Sequence, residues 1–144
     1  MSSTCLFCRI AAGELPANVI HRDERVIAFL DRSPLFLGHT LVVPRAHVDT
    51  LDDLDPEMVG PLFEVVRRTS VAVQRAMRAD GSFVAVNTRV SQSVPHLHVH
   101  VVPRTEGDGF FSPRPIWKRR SYADEADAAG HAARIRAAYE AASG

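Results

Sequence analysis

Between Pro95 and Pro103 the chain reads Pro-His-Leu-His-Val-His-Val-Val-Pro, with three histidines alternating with apolar residues. Successive side chains of a β-strand point to opposite faces, so His96, His98 and His100 share one face and Leu97, Val99 and Val101 the other. This predicts a strand over residues 96–102 in a sheet that buries one side and spends the other on imidazoles. At about 3.4 Å rise per residue, same-face neighbours lie roughly 7 Å apart and His96 lies roughly 13 Å from His100. Zinc–nitrogen bonds are about 2.0–2.1 Å, so a straight strand does not bring all three rings to one ion. An adjacent pair could share a metal, and at least one histidine has a different task.

A chain of 144 residues fits one domain, 1–144, with a substantial core. Its hydrophobic content of 46% and charged content of 24% are those of an ordinary globular protein. The formal net charge is zero, so bulk attraction to nucleic acid or to an anionic membrane is not expected. No basic stretch leading into an apolar one opens the sequence and no apolar run is long enough to span a bilayer, so the expected location is cytoplasmic. Cys5 and Cys8 form a C-x-x-C pair. A thioredoxin-like redox motif follows a strand, and none precedes this pair, which leaves a metal site or two idle thiols. Zinc would need two further ligands, and the chain has seven histidines to draw on.

Local patterns fill in the rest. Cys5–Ala12 reads as a short helix stopped by Gly13 and Pro16, and Asn18–Arg22 with Arg25–Asp31 as a hairpin across Asp23-Glu24. His39–Pro44 reads as a third strand, Ser82–Asn87 as a fourth and the histidine strand as a fifth. Asp55-Pro56-Glu57 is a helix start, and Met58, Leu62, Val65, Val66, Val73 and Met77 then recur at helical spacing towards Gly81. Residues 105–121 are rich in Gly, Pro and aromatics and read as an ordered loop, after which Ser121-x-x-Asp124 offers a cap for an Ala-rich helix over 122–142. The fold class is therefore α+β, with an antiparallel sheet of about five strands, a short N-terminal helix, a long central helix and a C-terminal helix.

The motif His96-Leu97-His98-Val99-His100-Val101-Val102 resembles the histidine-triad (HIT) pattern, in which histidines alternate with apolar residues. Four further landmarks follow the family's order: Cys5-Leu6-Phe7-Cys8-Arg9-Ile10, Ala28-Phe29-Leu30-Asp31 with Pro34, Gly38–Pro44, and Gln92-Ser93-Val94. The likeness spans residues 4 to about 104 and is closest to the Hint-like phosphoramidase branch. It implies a HIT-type fold and a nucleotidyl hydrolase or transferase that cleaves a nucleoside monophosphate from its leaving group. On the resemblance, His98 is the nucleophile that forms a covalent nucleotidyl-histidine, a role that suits neutral imidazole near pH 7. His100 contacts the phosphate oxygens, and Ser93 and Gln92 lie near the leaving group. Asn87 holds the phosphate region, Asp31 accepts the ribose hydroxyls, and Leu6, Phe7, Ile10 and Phe29 form the base slot. His39 matches a fourth family histidine that either orients a triad member or packs. His21 and His131 match nothing and read as surface residues.

The same resemblance implies a structural zinc held by Cys5, Cys8, His47 and His96, a closed Cys₂His₂ set that leaves His98 and His100 free. No catalytic cofactor is expected. Partners are a purine nucleotide and a second copy of the chain, with the helix from Pro56 as a dimer element. The chain departs from the pattern at Thr88-Arg89-Val90-Ser91, where glycines are usual before Gln92, and at Arg32, usually apolar. Four activities compete: a purine nucleoside phosphoramidase, a dinucleoside polyphosphate hydrolase, a nucleotide-binding regulatory module, and a metalloenzyme built on an adjacent His pair. The second would call on cations for the outer phosphates, with Arg89, Arg104 and Arg119 as candidates, and the run Lys118-Arg119-Arg120 could meet a polyphosphate tail.

Overall fold

A computed structural model of the chain describes residues 4–114 and 117–142. The elements run α1 (Leu6–Ala11), β1 (Val19–Arg22), β2 (Val26–Leu30), β3 (Thr40–Pro44), α2 (Pro56–Met77), β4 (Gly81–Ala85), β5 (Val99–Arg104) and α3 (Glu125–Ala141), with one 3₁₀ turn at Leu51–Asp53. The strands form one sheet in the order β1-β2-β3-β5-β4, and every adjacent pair is antiparallel. This is the α+β architecture that the sequence implies.

Alternation along the strands gives the sheet two apolar faces. Val26, Ala28 and Leu30 of β2, Val42 of β3, and Val99 and Val101 of β5 pack with Leu62, Val65, Val66, Ala72 and Val73 of α2 and with Ile135 and Tyr139 of α3. On the opposite face, Ile27, Phe29, Leu41 and Val43 pack with Phe7, Ile10 and Ala11 of α1. His100 pairs with Leu41 and with Ala85 across the ladder, so it belongs to this second face.

Local chemistry sets the ends of the elements. The Asp23 carboxylate accepts the Arg25 and Val26 backbone N–H groups and turns β1 into β2. Asp55 caps α2 through the Glu57 N–H, with Pro56 at the first helical position. Arg78 closes α2 in the left-handed conformation (φ 52°), directly after Met77, the last apolar position of the pattern.

Several boundaries differ from the sequence reading: β4 ends at Ala85 rather than Asn87 and β5 runs on to Arg104, and two starts have a visible cause. The fifth strand begins at Val99 rather than His96, because Val42↔Val99 is the last rung of β3 with β5, and the Leu97 N–H turns instead to the Val48 carbonyl. The C-terminal helix begins at Glu125, with Asp124 rather than Ser121 as its cap. Asp124 accepts the Asp127 N–H, and the Asp127 carboxylate returns to the Ala123 N–H. The loop expected over 105–121 therefore runs a few residues further. No helix among the described residues is long and apolar enough to cross a membrane.

Candidate active site and metal centre

Two covers lie on the histidine face of the sheet. α1 covers the β1–β3 half. The segment after β5 covers the β4–β5 half, where Phe110 stacks on Trp117 with centroids 4.4 Å apart, and both rings meet Phe83. The triad sits between them, with His98 against Phe7 of α1 at 5.1 Å and against His100 at 4.9 Å.

Backbone partners fix how each ring presents its nitrogens. His98 Nδ1–H donates to its neighbour His96's carbonyl at 2.8 Å, which leaves the Nε2 lone pair for an electrophile. The Leu35 N–H donates to His39 Nδ1, so the proton of His39 sits on Nε2 and is donated to His100 Nδ1 at 2.9 Å. His100 then carries its own proton on Nε2 as a donor. One ring presents a lone pair and its neighbour an N–H, which together suit attack on a phosphorus and binding of its oxygens. His39, fully buried, orients His100 rather than merely packing.

Burial holds these rings neutral. Desolvation lowers His98 from its ordinary value, opposed by its bond to the His96 carbonyl and by Asp31. Desolvation, then the His98 and Arg119 charges, lowers His100 to about 4. His39 is pushed well below its usual range, first by burial and then by His100.

The first triad histidine faces elsewhere. His96 Nε2–H donates to the Pro44 carbonyl at 2.8 Å, and its Nδ1 lies 3.3 Å from Cys5 Sγ and 3.4 Å from Cys8 Sγ. His47 is held in the same way by Asp49 (Nε2 to Oδ1, 2.7 Å), and its Nδ1 lies 3.2 Å from Cys8 Sγ. The four ligand atoms of Cys5, Cys8, His47 and His96 lie within 4.8 Å of one another. Ligand atoms around a tetrahedral zinc with bonds of about 2.0–2.3 Å are roughly 3.5 Å apart, which these spacings match. Each imidazole also has its outer nitrogen bound to an acceptor, the arrangement that turns the inner lone pair towards a metal. The donors therefore fit a Cys₂His₂ ion. Asp31, His39 and His100 also cluster, but the facing nitrogens of the two rings are already joined to each other. That makes this cluster an orienting chain rather than a second metal centre.

Asp31 brings the sugar-side expectation to the same place. Its Oδ1 accepts the Ser33 N–H, and its Oδ2 accepts from Arg119 Nη1 at 2.9 Å and lies 3.6 Å from His39 Nε2. A carboxylate accepts about four hydrogen bonds, so two hydroxyls still have room. Phe7, Ile10 and Phe29 are buried together in the α1–sheet core, whereas Leu6 is exposed.

Asn87, expected at the phosphate, and Gln92 and Ser93, expected at the leaving group, lie on the connection between β4 and β5 that also carries His96 and His98. Asn87 Nδ2 donates to the Ser91 carbonyl, and Gln92 bridges from the Arg89 N–H to the Asp49 carbonyl. Ser93 is exposed on that loop. Arg89 pairs with Asp52, and Arg32 is exposed. His21 and His131, expected at the surface, are partly buried. His21 binds Asp23 and lies tilted against Tyr139, while His131 binds the Asp127 carbonyl and lies beside Tyr122. Asp49 was missed from sequence, although its place two residues after His47 was a usable signal. The Arg119–Asp31 contact spans 88 positions and left none.

The model of the HIT domain family matches residues 12–107, and the chain belongs to that family. It is 44% identical over 107 residues to an uncharacterized HIT-like protein of Methanocaldococcus jannaschii, covering 73% of this chain and 82% of that one. It is 33% identical over 110 residues to the adenylylsulfatase HINT3 of Arabidopsis thaliana, covering 75% of this chain and 56% of the relative. Among solved structures, a zinc-bound histidine triad family protein from Mycobacterium smegmatis superposes with a TM-score of 0.83 at 35% identity, covering 98% of this chain and 96% of that one.

Proposed function

We propose that the chain is a nucleotidyl hydrolase that releases a nucleoside monophosphate, AMP by preference, from a phosphoramidate or a similarly activated derivative through His98. The carrying observation is the pair of tautomers: His98 with a free Nε2 lone pair beside His100 with an Nε2–H donor. In the first step His98 Nε2 bonds to the α-phosphorus as the bond to the leaving nitrogen breaks, and the departing amine takes a proton, with Ser93 as the proposed donor. In the second, water bonds to phosphorus as the phosphorus–histidine bond breaks, its proton restoring the Ser93 hydroxyl, and the monophosphate leaves. His100 steadies the charge on the non-bridging oxygens. The HINT3 adenylylsulfatase name points to the same adenylyl transfer with sulfate departing.

A structural zinc completes this reading, held by Cys5, Cys8, His47 and His96 and supported by the donor geometry and by the zinc-bound neighbour. The ion fixes α1 against the sheet. Assembly as a homodimer through α2, whose Val59 is exposed, belongs to the same proposal and is read by analytical ultracentrifugation.

The test is AMP release from adenosine 5′-phosphoramidate by wild type and His98→Ala, with AMP binding measured on both. The reading predicts that the variant binds AMP and loses at least about a thousandfold in kcat, as for removal of a covalent nucleophile. Equal turnover contradicts it. AMP binding without turnover by wild type would favour a regulatory nucleotide-binding module.

A further inference from the structure

The segment after β5 forms an open cavity of about 370 Å³ whose walls include Asp108, Ser112 and the exposed side chains of Arg114, Lys118, Arg119 and Arg120. Its one acid is already neutralised, because Asp108 takes two bonds from Arg104 at 2.7 and 2.9 Å. Arg119 is balanced by Asp31. Arg114, Lys118 and Arg120 therefore remain as surplus positive charge, in a chain whose formal net charge is zero. The cradle is held in place: Arg120 donates its backbone N–H to the Pro34 carbonyl and its Nε to the Leu35 carbonyl, and its guanidinium lies over Phe36. Arg119 Nη1 donates to the Ser33 carbonyl as well as to Asp31. A preformed concave site with several cationic donors selects a multiply charged oxyanion, and phosphate suits the arginine forks.

Arg119 decides which phosphate. It is the wall shared by the cavity and the Asp31 carboxylate, so an anion in the cavity sits across Arg119 from Asp31. Under the reading above, Asp31 faces the ribose hydroxyls and His98 faces the α-phosphorus. In-line displacement sends the leaving group away from His98, whereas the cavity adjoins the Asp31 carboxylate through Arg119. We propose that this cavity is a subsite for a second phosphate carried on the ribose, with Arg119 standing between that phosphate and Asp31 and the remaining hydroxyl donating to Asp31, so that the enzyme prefers nucleotides bearing a 2′- or 3′-phosphate besides the reacting 5′-phosphoryl group. This rests on the proposed placement of the ribose at Asp31.

The experiment compares binding of AMP, adenosine 3′,5′-bisphosphate, adenosine 2′,5′-bisphosphate and ADP by calorimetry, to wild type and to an Arg114→Ala/Lys118→Ala double variant. Both substituted side chains are exposed and distant in sequence from the triad. At least one bisphosphate should bind wild type about tenfold tighter than AMP or more, the worth of one added charge-assisted hydrogen bond. The double variant should lose that advantage and keep its AMP affinity. An advantage for ADP alone would place the cavity on the leaving-group side and overturn the inference, as would bisphosphates binding no better than AMP. Wild type that binds no AMP would sink the nucleotide reading itself, and this inference with it.

Discussion

At the scale of the residue, His98, His100 and their shared face were legible from alternation alone, because the period of a strand is set by covalent geometry. The proton positions were not. They depend on the Leu35 N–H and the His96 carbonyl, whose placement follows from folding. The His39–His100 pair makes a pH prediction. Both rings are held below their ordinary pKa, His100 at about 4, mainly by burial, with His98 and Arg119 adding to the effect on each. Below about pH 6.5 the unfolded chain binds protons that the folded chain excludes, so stability falls as pH falls towards 4. Protonation would also set a second N–H against His39 Nε2–H. The His100 contribution is on the order of 1–3 kcal/mol at the acid end. Urea denaturation from pH 7 to 4.5 should show a steeper loss for wild type than for His100→Gln; parallel curves would remove His100 as the cause.

At the scale of the element, each strand and long helix was readable, and the errors fell at ends where tertiary partners decide. The fifth strand starts late because its pairing with β3 stops at Val42↔Val99, where the Leu97 N–H goes to the Val48 carbonyl and the His96 ring donates to the Pro44 carbonyl. The cap of α3 moved from Ser121 to Asp124 because the Asp124–Asp127 pair makes a reciprocal cap of its own. The β2–β3 connection gives a sharper test. Gly38 has φ +98°, its N–H donates to the Tyr122 hydroxyl, and an added Cβ would stand 2.7 Å from Met77 Cγ. Gly38→Ala therefore combines backbone strain with overpacking and should cost roughly 2–4 kcal/mol. Chemical denaturation reads this directly, and a loss below 0.5 kcal/mol, on the order of an ordinary surface change, would show that the end of α2 yields freely.

At the scale of the whole molecule, the sequence indicated an α+β sheet protein, and resemblance supplied the proposed function and the grouping of Cys5, Cys8, His47 and His96. What stayed hidden was how the segment after β5 returns to Asp31 through Arg119, since charged runs carry no sign of their partners. The proposed zinc joins α1 to two distant segments, so its removal should act first on stability. Chelation, or Cys8→Ser, should lower the melting temperature by several degrees, the scale of a lost structural ligand in a domain of this size. Calorimetry with and without a chelator checks this; an unchanged transition in protein shown to contain zinc would mean the ion does not anchor α1.

The central claim is a covalent nucleotidyl-histidine at His98. Two successive in-line displacements restore the configuration at phosphorus, whereas one direct attack by water inverts it. The measurement is the stereochemical outcome for an adenosine phosphoramidate made chiral at phosphorus with sulfur and hydrolysed in heavy-oxygen water. A nucleotidyl-His98 intermediate gives net retention with wild type; net inversion would rule the intermediate out.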